Sequence, residues 1–176
     1  MNNDPGDFEI ASAPQGERDS LEPILDECFT GLYLRHARRT LAEVETVMVA
    51  HHGDAPVGLA MLKPLAKEVG YVYYIAVLPS FRGKGVGARL LIESLDQFSR
   101  AGAIEVYASV GEDNAESKAL FLGRGFRRTD FGQVSKKYGV MKALSMYRSM
   151  LVVPGEIILV KDSLMLPGES PPNPSS

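Results

Sequence analysis

A mixed α/β sheet with helices packed on both faces is the fold class that this 176-residue sequence predicts. Three observations carry it. Apolar, β-branched runs alternate with runs of helical periodicity along most of the chain. Two of the runs, 45–51 and 57–63, flank the turn-forming stretch His52-Gly-Asp-Ala-Pro56 and so read as a hairpin. A third run, 71–78, breaks at Pro79-Ser80, passes through a glycine-rich turn at 83–87 and opens directly into a helix.

The elements follow in order. Residues 1–7 read as a flexible leader and 8–11 as a short first strand. Ser20 is a candidate cap for a helix reaching Phe29, with Ile24 and Cys28 on one face. A second helix is expected over 34–44, where Arg35, Arg38 and Arg39 read as a solvated face in preference to a binding patch. The hairpin comes next, then a turn at 64–70 and the strand 71–78. The helix from Ala88 carries Leu91, Leu95 and Phe98 at helical spacing. Residues 104–110 alternate as a strand, and Asn114 suits the cap of a helix ending near Leu122. The last two strands are expected at 126–131 and 143–152. The loop 132–142 lies between them, with Lys136-Lys137 solvated. Residues 157–166 are open to three readings: an added strand, a cover over a substrate site, or a surface for another subunit. The Pro/Ser-rich stretch 167–176 reads as a disordered tail. A single domain over 8–166 results.

Composition bounds the function. At 45% hydrophobic and 23% charged residues, the chain has the balance of a soluble globular protein. A net charge of −3 argues against general nucleic-acid binding. No apolar run reaches membrane-spanning length, and the polar start Met1-Asn-Asn-Asp-Pro-Gly-Asp is no signal peptide, so the cytoplasm is the expected compartment. The one cysteine, Cys28, excludes an intramolecular disulfide and is expected to be a buried apolar residue. His51 and His52 would point to opposite faces of a strand, so no metal is expected.

The stretch 71–91 carries the chemistry. The first turn of a helix presents unpaired backbone N–H groups and the positive end of its dipole. Glycines remove the Cβ atoms that would hold an anion away, so the turn reads as a cradle for phosphate. Gly83-Lys84 is followed by Gly85 and not by a hydroxyl residue, which excludes a P-loop. Gly83-x-Gly85-x-x-Ala88 fits the dinucleotide fingerprint, and Glu105 lies about 20 residues on, as that motif wants. Yet residues 78–82 separate the turn from its strand, and Glu105 stands near the start of a strand rather than its end. An ordinary glycine turn is the plainest alternative.

Arg82-x-x-Gly85-x-Gly87, after a strand ending Ile75-Ala76-Val77, resembles the acetyl-CoA motif of the GNAT family of N-acetyltransferases. The stretch from Asn114 through Ser117, Leu120 and Phe121 to Gly125-Phe126 is similar to a second motif of that family. The resemblance covers roughly 8–152 and implies the GNAT fold, in which the central strand and its successor splay apart around the pantetheine arm of the co-substrate. It implies that the backbones of Ile75, Ala76 and Val77 pair with pantetheine, with an N–H at Val77 stabilising the oxyanion. The pyrophosphate would meet Gly83, Lys84, Gly85, Val86, Gly87 and Ala88, with Arg82 bracing the turn. Asn114 matches a pantetheine-contacting position, although as a helix cap it would look the same.

Chemically, the resemblance implies direct acetyl transfer from acetyl-CoA to an amine, with both substrates bound together and no metal. The chain departs from the family at two points. The position of the usual general-acid tyrosine is Phe121, beside the co-substrate, and that of a glutamate base in some members is Ser109. Tyr73, Tyr74 and Tyr107 are the replacements on the relevant strands, with Glu112 and Glu105 behind them. The acceptor could be a small-molecule amine or a peptide or protein amine, and the chain a monomer or homodimer. A non-catalytic acyl-CoA-binding module and a Rossmann-type nucleotide binder are the alternatives.

Overall fold

The computed structural model describes residues 8–162; the expected leader 1–7, the tail 167–176 and residues 163–166 lie outside them. Seven strands form one sheet in the order β1-β2-β3-β4-β5-β7-β6. β1 (Glu9–Ser12), β2 (Thr46–His52), β3 (Ala55–Ala66) and β4 (Val69–Val77) are joined by antiparallel pairing. The β2–β3 hairpin turns at Gly53-Asp54, and β3 runs on to Ala66 while β4 starts at Val69, which leaves only Lys67-Glu68 of the stretch 64–70 expected as a turn. β5 (Glu105–Gly111) is parallel to β4, and β7 (Glu156–Asp162) lies antiparallel between β5 and the short β6 (Arg127–Thr129). Residues 157–162 are thus a strand inside the sheet, one of their three sequence readings.

Alternation along the strands sorts side chains to two faces. On one, Ala60, Leu62, Val72, Val106, Ala108 and Leu159 meet α3 (Val86–Arg100) and Phe121 of α4 (Ala115–Leu122). Helix α3 buries Val86, Leu90, Leu91, Leu95 and Phe98 there, each contributing roughly 1.5–3 kcal/mol. The other face holds two separate clusters. Helices α1 (Glu22–Cys28) and α2 (Gly31–Glu43) cover Val47, Val49, Leu59, Met61 and Ala76. Helices α5 (Phe131–Tyr138) and α6 (Val140–Met150) cover Tyr71, Tyr107, Ile158 and Val160. Tyr73 of β4 borders both clusters, and it and Tyr74 are only half-buried, so the middle of the sheet is left partly open as a cleft between the two helix pairs.

Several expectations need correction. Residues 132–142 are not a loop, and 143–152 are not a strand: they form α5 and α6. Asp130 caps α5 by accepting from the Gln133 N–H at 2.8 Å, and Ala143, Met146 and Met150 bury one stripe of α6 at helical spacing. The expected strand 126–131 shrinks to three residues. Ser20 does not cap a helix; it lies in the 3₁₀ turn Gln15–Leu21, where its hydroxyl donates to Glu17 O at 2.6 Å. Lys137 is not simply solvated, since its ammonium and the Tyr138 hydroxyl both bond the buried Glu105 carboxylate, tying α5 to β5. On α2, Arg38 pairs with Glu22 and Asp26, and Arg39 with Glu43.

Candidate functional site

The site begins with a fault in the sheet. β4 and β5 pair only from Val69↔Glu105 to Val72↔Ala108. Immediately after, β4 bulges: Val72 faces Leu62 and Tyr74 faces Met61, which leaves Tyr73 without a counterpart on β3. An extra residue bends the strand that carries it. Beyond it, 73–77 stay with β3 while 109–111 follow β7, and a gap opens between β4 and β5.

Backbone alternation decides what lines the gap. Leu78 N–H donates to Val57 O at 2.9 Å, so the adjacent Gly58↔Val77 pair is of the kind that exchanges no hydrogen bonds. The N–H and C=O of Val77 therefore turn away from β3, toward the gap. By the same alternation those of Ile75 face the gap and those of Ala76 face β3, so only two of the three expected residues offer their backbones. The Val77 carbonyl already accepts from Arg82 Nε at 3.2 Å and from the Cys28 thiol at 3.3 Å. Arg82 thereby closes the turn 78–82 back onto the strand. Cys28 is only partly buried, contrary to expectation; desolvation pushes its thiol up, against the lowering influence of Arg82, which keeps it protonated.

Above the gap, Gly83 and Gly85 take φ values of +72° and +82°, a region L side chains rarely adopt. A Cβ at either would meet no protein atom within 4 Å. Gly85 precedes α3, and Arg89 N–H donates to its carbonyl at 3.0 Å. The N–H groups of Val86, Gly87 and Ala88 therefore precede the first helical hydrogen bond, as an anion cradle requires. Val86 anchors the cradle in the core, while Lys84 lies over the Phe81 ring at 4.9 Å.

The other expected residues fall into place unevenly. Asn114 Oδ1 accepts from Ser117 N–H at 3.0 Å and so caps α4. Phe121 is 5% exposed and packs edge-to-face on Phe126, with no hydroxyl to offer. Ser109 donates to the Tyr71 hydroxyl at 2.8 Å, which donates in turn to Met150 O at 3.2 Å. Tyr107 is buried beneath α5 and α6 with its hydroxyl donating to Glu105, out of reach of a substrate. Glu105 is likewise enclosed, and Glu112 pairs with Arg128. Tyr73 and Tyr74 remain at the cleft with ring centroids 5.1 Å apart. Burial first, then neighbouring hydroxyls and the Glu156 carboxylate, hold the Tyr74 hydroxyl well above the ordinary tyrosine range. His52 packs its ring on Phe8 and Phe81, at 5.7 and 5.5 Å.

Sequence reasoning missed Glu156 and Tyr33. Glu156 starts β7 opposite Gly111, and its carboxylate accepts from Tyr33 OH on α2 and from Val153 N–H, both at 3.2 Å. Nothing in the local sequence marks either residue, because only the insertion of β7 next to β5 brings them together.

Residues 18–126, more than half of the chain, match the family model described as Acetyltransferase (GNAT) family. The chain belongs to the GNAT acetyltransferase family. An L-2,4-diaminobutyric acid acetyltransferase of Vibrio parahaemolyticus is 27% identical over 77% of this chain and 78% of its own length. The N-alpha-acetyltransferase RimI of Mycobacterium tuberculosis is 39% identical over 45% of this chain, a match spanning only half of that protein. In fold, the PaiA N-acetyltransferase of Thermoplasma acidophilum, solved in complex with coenzyme A, superimposes with a TM-score of 0.66 at 15% identity, over 88% of this chain and 98% of its own. The GNAT family and a central strand paired antiparallel to β3 rule out the Rossmann alternative, and the Glu105 carboxylate points to Lys137 and Tyr138, not to a nucleotide.

Proposed function

We propose that this GNAT acetyltransferase is an N-acetyltransferase that moves an acetyl group from acetyl-CoA to a primary amine by direct attack, with both substrates bound at once. The observation that carries the reading is the gap between β4 and β5, with the glycine cradle at its mouth. Acetyl-CoA would supply the activated thioester: the amine nitrogen gains the acetyl carbon as the C–S bond breaks, the sulfur leaves as thiolate, and the nitrogen gives up a proton. The chain's own groups do the rest. The N–H groups of Val86, Gly87 and Ala88, with Gly83 and Gly85 keeping the approach open, suit the pyrophosphate. Ile75 and Val77 offer strand-edge groups to the pantetheine amides, and the Val77 N–H is the proposed donor to the carbonyl oxygen as its charge grows.

An amine arrives as ammonium, its pKa about 8 for an α-amino group and about 10.4 for a lysine, so it must lose a proton before attack. The departing thiol, of pKa about 8.5, needs less help from an acid. Phe121 is consistent with that order of need. It also motivates the second reading, a module that binds acyl-CoA without turnover. The relatives named for diaminobutyric acid favour a small amine acceptor; the one named as an N-alpha-acetyltransferase keeps a protein N-terminus in view.

Calorimetric titration with acetyl-CoA, CoA and NAD, followed by thiol release with a panel of amines, tests both readings. Binding of acetyl-CoA and CoA but not NAD, with amine-dependent thiol release, is expected. Binding without release by any amine would select the second reading, and no binding would remove both.

A further inference from the structure

The cleft on the face opposite α3 ends at a carboxylate, and its walls are aromatic. Tyr33 reaches from α2 across the cleft to donate to Glu156 Oε1 at 3.2 Å, while Val153 N–H holds Oε2 at the same distance. Two backbone-anchored elements on opposite sides of the gap thus converge on one charged group. On the floor, the Tyr73 ring stands 5.3 Å from Tyr71 and 5.1 Å from Tyr74, and Phe29 closes on Tyr74 at 5.3 Å. The Glu156 charge raises the hydroxyls of Tyr33, Tyr71, Tyr73 and Tyr74, so it lies near all four. Asp113 adds a negative charge near Tyr33, and Glu43 and Arg39 offset one another near Tyr73.

No lysine or arginine pairs with Glu156 among the ion pairs of the described residues. A half-buried carboxylate that accepts only neutral donors keeps its charge uncompensated, and the negative faces of tyrosine rings attract cations too. A compact ammonium satisfies both. Neutral donors alone leave the charge standing, and an anionic ligand would be repelled.

We propose that Glu156, with the rings of Tyr33, Tyr73 and Tyr74, binds the acceptor as a primary alkylammonium ion at the end of the cleft. The site makes Glu156 the residue that selects cationic acceptors over neutral ones. It rests on the acetyl-transfer reading for its role, but not for its existence as a cation site.

The test uses the full chain and butylammonium as probe, followed through the NMR signals of the tyrosine rings, with butan-1-ol as the neutral counterpart. Saturable shifts at Tyr33, Tyr73 and Tyr74 with butylammonium, and none with the alcohol, are expected. Glu156→Gln keeps one acceptor oxygen for Val153 N–H and offers its amide NH2 to the Tyr33 hydroxyl oxygen, and so should fold; it is expected to weaken butylammonium binding about tenfold, the loss of one charge-assisted contact. With an accepted amine, the same variant should raise KM about tenfold with a smaller change in kcat and an unchanged affinity for acetyl-CoA. Equal binding by both proteins, or no binding by either, would overturn the proposal. Glu156-dependent binding in a protein that ignores acetyl-CoA would keep the cation site and remove the acetyl-transfer reading instead.

Discussion

Gly85 owes its identity to one backbone angle. With φ at +82° and no protein atom within 4 Å of a would-be Cβ, replacing it by valine costs backbone strain alone, about 1–2 kcal/mol. Gly85→Val is expected to remain folded, with a modest fall in its urea midpoint, and to bind acetyl-CoA at least about tenfold more weakly. An unchanged affinity would remove the cradle. Phe121 is the opposite case, a residue defined by what it lacks. Phe121→Tyr inserts a hydroxyl at a site 5% exposed and packed on Phe126, a burial that costs about 1–3 kcal/mol where no partner is found. Because thiolate is a good leaving group, kcat is expected to change less than about threefold. A rise of about a hundredfold would instead mark a missing general acid.

Among the elements, α2 depends on a side chain from outside itself. Arg18, 4% exposed in the 3₁₀ turn Gln15–Leu21, donates to the carbonyls of Leu41, Val44 and Glu45 at and beyond the end of α2. A cation there meets both the unpaired carbonyls and the negative end of the helix dipole. Arg18→Met keeps the apolar stem and strands those carbonyls, so a loss of about 2–3 kcal/mol is expected in urea unfolding. A loss below about 0.5 kcal/mol would mean that water serves equally well. Because α2 also carries Tyr33, the variant should weaken butylammonium binding more than acetyl-CoA binding. Arg18 was illegible in sequence: it reads as one more surface charge before a helix, and its partners lie more than twenty residues on.

For the molecule as a whole, burial raises the hydroxyls of Tyr71, Tyr74, Tyr107 and Tyr138 well above their ordinary pKa of 10. The folded chain then keeps protons that the unfolded chain releases from about pH 10 upward, so unfolding gains from each increment of pH. Stability is fully present below about pH 10 and is expected to fall steadily above it, measured as the urea midpoint; a midpoint unchanged to about pH 11 would contradict the buried placements. The local part of this architecture was legible in advance. The glycine turn, the helix it opens, the Asn114 cap and the hairpin depend on neighbours a few residues apart, where backbone angle and periodicity leave a plain mark. The end of the chain was not. Residues 131–150 mix aromatic and β-branched residues with helical spacing, and the packing of Ala143, Met146 and Met150 against the sheet decided for helix. The family motifs likewise pointed to the strand and turn that frame the gap, but not to its chemistry. By itself the sequence determined the glycine turn, the helix it opens and the strand before it, because their conformation depends only on near neighbours in the chain. Tertiary structure alone decided which hydroxyls are buried, that β7 enters between β5 and β6, and that Glu156 meets Tyr33 across the cleft. Those pairings join residues up to 123 positions apart, and no local pattern records a contact made only when the sheet assembles.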